Sequence, residues 1–131
     1  MIENCKKEVI TLHRFFEEWF KGDLPDDEKT FSRITGALDD DFLIVSPGGN
    51  ITDKPGLTAG LKMAHSRWDT GTIQIKNING RYISGDICLL MYEEWQTTPE
   101  ETTTRLSSAL FQKEENAFNG VKWIHLHETW I

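Results

Sequence analysis

The stretch ICLLMYEEWQTTPEETTTRLSSALFQKE, residues 87–114, decides how the rest of the chain is read. Large apolar and β-branched residues run from Ile87 to Thr97 and again from Thr102 to Glu114, with a Pro99-containing turn between them, which predicts a β-hairpin. Thr72 to Ser84 precedes it across Ser84-Gly85-Asp86, and residues 121–131 follow it across Asn116 to Gly120. Four β segments, 72–84, 87–97, 102–114 and 121–131, joined by short connections form an antiparallel meander.

Upstream of Gly71 the pattern is helical. Val9, Leu12, Phe16, Trp19 and Phe20 recur at three- and four-residue steps and predict an amphipathic helix from Glu3 to Phe20 that stops near Gly22. Pro25 opens a second helix, with Asp26, Asp27 and Glu28 in its first turn and Phe31, Ile34 and Leu38 as its buried stripe. Phe42 to Ser46 reads as a strand closed by a Pro-Gly-Gly-Asn turn, and Ile51-Thr52 as its short partner. Asp53 caps a third helix carrying Pro55 in its first turn and Leu57, Leu61 and Ala64 inward, ending near Trp68. Helices first and strands afterwards is the pattern of an α+β domain, residues 1–131, with helices on one face of a curved sheet.

Composition narrows the function classes. The chain has 131 residues, 38% hydrophobic, with five Trp and seven Phe, enough apolar surface for one core. Fourteen basic against 21 acidic residues leave a formal charge of −7, so nucleic acid is not an expected partner. No apolar run reaches the ~18 residues of a membrane span, and no signal-peptide layout opens the chain. Cys5 and Cys88 lie far apart, outside any metal spacing, and are expected to be reduced in a cytoplasmic protein.

Turn lengths set the register. A four-residue loop at Thr98–Glu101 places Glu94 opposite Arg105 and Tyr92 opposite Ser107. If Asn116 to Gly120 is the next loop, Ala109 lies beside His127 and Ser107 beside Thr129. One face then carries Tyr92, Glu94, Arg105, Ser107, His125, His127 and Thr129, while Glu128 is left on the opposite, apolar face. The polar face is either solvated or paired with another subunit, or it lines a cavity. In a cavity, Arg105 binds an anionic or carbonyl group, Glu94 holds the guanidinium, and Tyr92 and Ser107 supply hydroxyls. Trp19 and Trp68 read as core or pocket wall, and His13 and His65 as helix-surface residues. His125 and His127 point the same way on one strand, but no third ligand completes a zinc site, so neither metal nor cofactor is expected.

The ending WIHLHETW, Trp123 to Trp130, preceded by Arg105 within EETTTRLSSALF, resembles nuclear transport factor 2-like domains. The nearest patterns are SnoaL-like stand-alone proteins and the association domain of calcium/calmodulin-dependent protein kinase II. The resemblance implies a cone-shaped, cystatin-like α+β fold with N-terminal helices packed on a strongly curved antiparallel sheet. It also implies a small-molecule pocket at the wide end and homodimerisation through the outer sheet face. Arg105 matches the association domain's pocket arginine, and His125 and His127 its paired histidines. Relatives with isomerase or cyclase activity make a pocket His, His127 or His125, a candidate acid–base group; an oligomerisation module is the other alternative. Asp41 is the nearest acidic candidate for an isomerase base, but the run Asp39-Asp40-Asp41 reads rather as a solvated helix-to-strand connection.

Overall fold

A computed structural model describes residues 1–131. Three helices, α1 (Ile2–Lys21), α2 (Glu28–Thr35) and α3 (Lys54–Met63), accompany six strands: β1 (Leu38–Val45), β2 (Ile51–Asp53), β3 (Thr72–Ser84), β4 (Ile87–Thr97), β5 (Thr102–Lys113) and β6 (Val121–Trp130). The strands form one curved, unclosed sheet in the order β2-β1-β6-β5-β4-β3. The meander is as expected from the sequence, and β1 joins it by pairing parallel with β6. The architecture is the nuclear transport factor 2-like, cystatin-like α+β fold.

The helix signals act locally. Gly22 takes φ 77°, its N–H bonds the Trp19 carbonyl and the Asp23 N–H bonds the Glu18 carbonyl, ending α1 where the sequence places it. Asp27 caps α2, its carboxylate accepting from the Thr30 amide, so Pro25 lies in the connection and not in the first turn as expected. Leu38 opens β1 instead of extending α2, and α3 ends at Met63, five residues short of Trp68. Asp53 accepts from the Gly56 amide and starts α3 as expected.

Curvature comes from bulges in β3. Its register against β4 shifts between Lys76 and Asn79 and again between Gly80 and Tyr82. Asn77 adopts φ 53°, and its amide donates to Glu93 at 2.8 Å. Gly80 lets α1 approach, since a Cβ there would stand 2.7 Å from Ile2 Cδ1.

The core lies between α1 and the concave sheet face, where Val9, Leu12, Leu90, Ala109, Phe111 and Trp123 are buried. Complete burial of each large apolar side chain contributes roughly 1.5–3 kcal/mol. One buried carboxylate organises one end of this core. Glu8 accepts from Arg33 Nη1 and Nη2 at 3.2 and 2.8 Å, from Asn119 at 2.8 Å and from the Trp123 indole at 3.0 Å. It thereby ties α1 to α2, to the β5–β6 loop and to β6.

Candidate functional site

At the other end of the core, α1, α3 and the sheet line an open-mouthed cavity of about 230 Å³. Its walls are mostly apolar: Phe16 and Phe20 from α1, Leu57 and Leu61 from α3, Phe42 and Ile44 from β1, Trp123 and Leu126 from β6. His13, Glu94, Gln96, Arg105 and Glu128 supply the polar lining. Strand alternation explains most of this set. Glu94 and Gln96 project inward from β4, opposite Arg105 and Thr103 of β5, in the register expected from the four-residue loop.

His13 joins the two layers. Its Nδ1 lies 2.7 Å from the Val9 carbonyl, which can only accept, so Nδ1 carries a proton. Its Nε2 stands 3.0 Å from Glu94 Oε1, and Glu94 Oε2 accepts from Gln96 at 2.5 Å. Burial alone pushes the Glu94 carboxyl up, but the His13 charge and hydrogen bond, with the Gln96 bond, outweigh it and hold it at about 2. Burial pulls His13 down, while the Glu94 charge, its hydrogen bond and the Val9 carbonyl leave it above its ordinary value.

Beside this pair, Arg105 Nη1 donates to Glu128 Oε1 at 3.2 Å, and Ser107 Oγ to Glu128 Oε2 at 3.4 Å. The guanidinium also lies over the Trp130 ring, 4.9 Å from its centroid. Burial, and then the Glu94 charge, push the Glu128 carboxyl up against the opposing pull of Arg105. Burial also raises the Tyr92 phenol well above its usual value, so it stays protonated. Two buried donors have no partner: Arg105 Nε and the Tyr92 hydroxyl.

Arg105 and Glu94 therefore line the cavity, whereas Tyr92 and Ser107 are buried in the sheet beneath it. The expected Glu94–Arg105 ion pair is replaced by two others, His13–Glu94 and Arg105–Glu128. His125 and His127 do not share this face. The β5–β6 loop is two residues longer than expected, which alone preserves facing, but Ile124 then bulges out of the ladder: Phe111 pairs Trp123 while Leu110 pairs His125. That extra residue turns Leu126 and Glu128 inward and the two histidines to the outer face, where His127 is exposed. Trp19 is fully buried and donates its indole N–H to the Leu61 carbonyl at 2.7 Å, holding α3 over the cavity. Trp68 stands outside the lining, packed on Phe20 with ring centroids 5.1 Å apart. Asp41 is exposed on β1.

His13 and Glu128 are the residues that sequence reasoning missed. The signal for His13 was available, because it falls four after Val9 and three before Phe16, on the buried stripe of α1. His65 is likewise only half exposed, its Nε2 2.7 Å from the Leu24 carbonyl.

Residues 5–131 match the family described as sucrose-6-phosphate phosphohydrolase C-terminal. The chain belongs to this family. Among curated relatives, sucrose-phosphatase 2 of Nicotiana tabacum is 20% identical over 134 residues, covering 95% of this chain and 30% of the relative. This member of the phosphohydrolase C-terminal family thus spans under a third of that relative's length. Among solved structures, a nuclear transport factor 2-like protein of unknown function from Pseudomonas aeruginosa superposes with TM-score 0.88 at 22% identity, over 98% of both chains. The CaMKII hub of S. rosetta superposes with TM-score 0.65 at 15% identity, over 95% of both. No helix of the chain is long and apolar enough to cross a membrane.

Proposed function

We propose that this chain is a single small-molecule-binding domain whose site is the cavity between α1, α3 and the concave sheet face. The observation that carries the reading is Arg105, which lines a mostly apolar cavity and whose buried Nε has no hydrogen-bond partner. A buried unpaired donor costs roughly 1–3 kcal/mol, a cost that a ligand oxygen removes. The ligand's apolar body rests on Phe16, Leu57 and Leu126, and its oxygen accepts from Arg105. The curated relatives are named as sucrose phosphatases; the mostly apolar lining and the two pocket carboxylates argue against a sugar phosphate as the ligand here.

A thermal-shift screen of small ketones, alcohols and carboxylates tests this reading. A ligand of the folded state at a hundredfold its Kd adds about 2.7 kcal/mol of stability. Compounds that raise the Tm of the native chain and not of Arg105→Ala support the reading; a screen in which both proteins respond alike counts against it.

A second reading concerns the outer sheet face. Leu43, Leu89, Met91, Leu106 and Leu110 share it, no helix covers it, and Leu43 is 39% exposed. A second copy of the chain covers this face in a homodimer, a reading supported by the likeness to the S. rosetta hub.

An acid–base role for the pocket rests on Glu128 and not on His125 or His127. Its carboxyl is raised, lines the cavity and lies beside the Arg105 guanidinium, where it can exchange a proton with a carbon next to a bound carbonyl. Deuterium exchange into the methyl group of acetophenone, faster than in buffer and lost in Glu128→Gln, supports this role; exchange at the buffer rate opposes it.

A further inference from the structure

The charged groups of the cavity cancel in pairs. One proton sits on His13 Nδ1, fixed by the Val9 carbonyl, and one more lies between His13 Nε2 and Glu94. Whichever atom holds that second proton, the two side chains together are neutral. Arg105 and Glu128 form a second pair at 3.2 Å. On the guanidinium, Nη1 alone is held by Glu128, Nε is buried without a partner and Nη2 has no protein acceptor; Glu128 keeps spare acceptor capacity on Oε2, held only by Ser107 at 3.4 Å.

An anionic ligand entering this site gains little. Its counter-ion, Arg105, is already paired with Glu128, and its charge meets both Glu94 and Glu128 within a mostly apolar lining. A neutral oxygen meets no such repulsion and satisfies the free donor. A hydroxyl does more, accepting from Arg105 Nε while donating to Glu128.

Size narrows the class further. A dry cavity of ~150 Å³ holds benzene, and ordinary ligand clefts begin near ~300 Å³. The cavity, at about 230 Å³, lies between these.

From this balance we infer that the cavity takes an uncharged ligand, a one- or two-ring apolar body bearing a carbonyl or hydroxyl group, and discriminates against the corresponding carboxylate. The inference rests on the binding reading above and names its ligand class.

The test uses three probes with one ring in common: acetophenone, benzyl alcohol and benzoate, titrated near neutral pH into the native chain. The readouts are the NMR signals of the Arg105 Nε–H and the Leu126 methyl groups. Both neutral probes are expected to shift these signals, with benzoate binding at least about tenfold more weakly, a difference of about 1.4 kcal/mol. Glu128→Gln, whose amide oxygen still accepts from Arg105, removes one carboxylate. It is expected to tighten benzoate about tenfold and to leave acetophenone within about threefold. Benzoate binding the native chain as tightly as acetophenone overturns the inference and leaves the cavity a binding site. If no probe moves either signal, the binding reading falls and the inference with it. The native comparison decides between these outcomes whether or not the variant folds.

Discussion

His13 on α1 and Glu94 on β4 meet 3.0 Å apart in the protein interior, and each uses its remaining polar atom on a second partner, the Val9 carbonyl and the Gln96 amide. Such a pair adds modest net stability when intact, because both groups gave up water to form it. Breaking it is costly, because the survivor stays buried without its partner.

His13→Ala is accordingly expected to lower the unfolding free energy by about 3–5 kcal/mol in urea titrations. Replacing both residues by leucine is expected to cost less than the single change. A loss below about 1 kcal/mol for His13→Ala contradicts the pair's assigned role.

The pH profile follows from the signs of the shifts. His13 is raised above 6.5, so its contribution is fully present below 6.5 and lost as pH climbs through the raised value. Glu94 is held at about 2 against 4.5, so its contribution is present above 4.5 and lost as pH falls from there. Glu128 is raised from 4.5, so above 4.5 the native state keeps a proton that the unfolded chain has released. Stability then falls with rising pH in that window, in the same sense as for His13. Tm is expected to be highest near 4.5 and to fall above it, and Glu128→Gln to flatten the first part of that fall. A maximum displaced to alkaline pH contradicts these assignments.

Most of the fold was legible because its signals are local. The turn at Thr98–Glu101 set the β4–β5 register to the residue, and Gly22 and Asp53 marked helix ends through their own backbone and side-chain chemistry. The site was only partly legible. A single unpaired residue, Ile124, exchanges the faces of β6, and nothing in the composition of WIHLHE marks which residue leaves the ladder. His13 was hidden differently. A polar residue on an apolar stripe reads as a surface position until its partner is known, and Glu94 lies 81 positions away, on a strand. The parallel pairing of β1 with β6 is a long-range contact that no turn dictates.

Glu8 offers a separate check on the core, away from the cavity. Glu8→Leu removes the acceptor for Arg33, Asn119 and the Trp123 indole at once. Each buried donor left unpaired costs roughly 1–3 kcal/mol, so the total loss is expected to exceed about 3 kcal/mol. The indole N–H of Trp123 is expected to lose protection from hydrogen exchange. Near-native stability of this variant contradicts the network.

The outer face predicts a mass. Light scattering is expected to give twice the chain's mass, and Leu110→Lys, which sets a charge in the middle of that face, to give the monomer with unchanged circular dichroism. A native chain that stays monomeric at high concentration contradicts the homodimer.

The central claim is that a ligand enters the space between α1, α3 and the concave sheet, and intermolecular nuclear Overhauser effects from bound acetophenone locate it most directly. Contacts to Phe16, Leu57 and Leu126 are the predicted result. Contacts confined to Leu89, Met91 and Leu110, on the opposite face of the sheet, contradict the account.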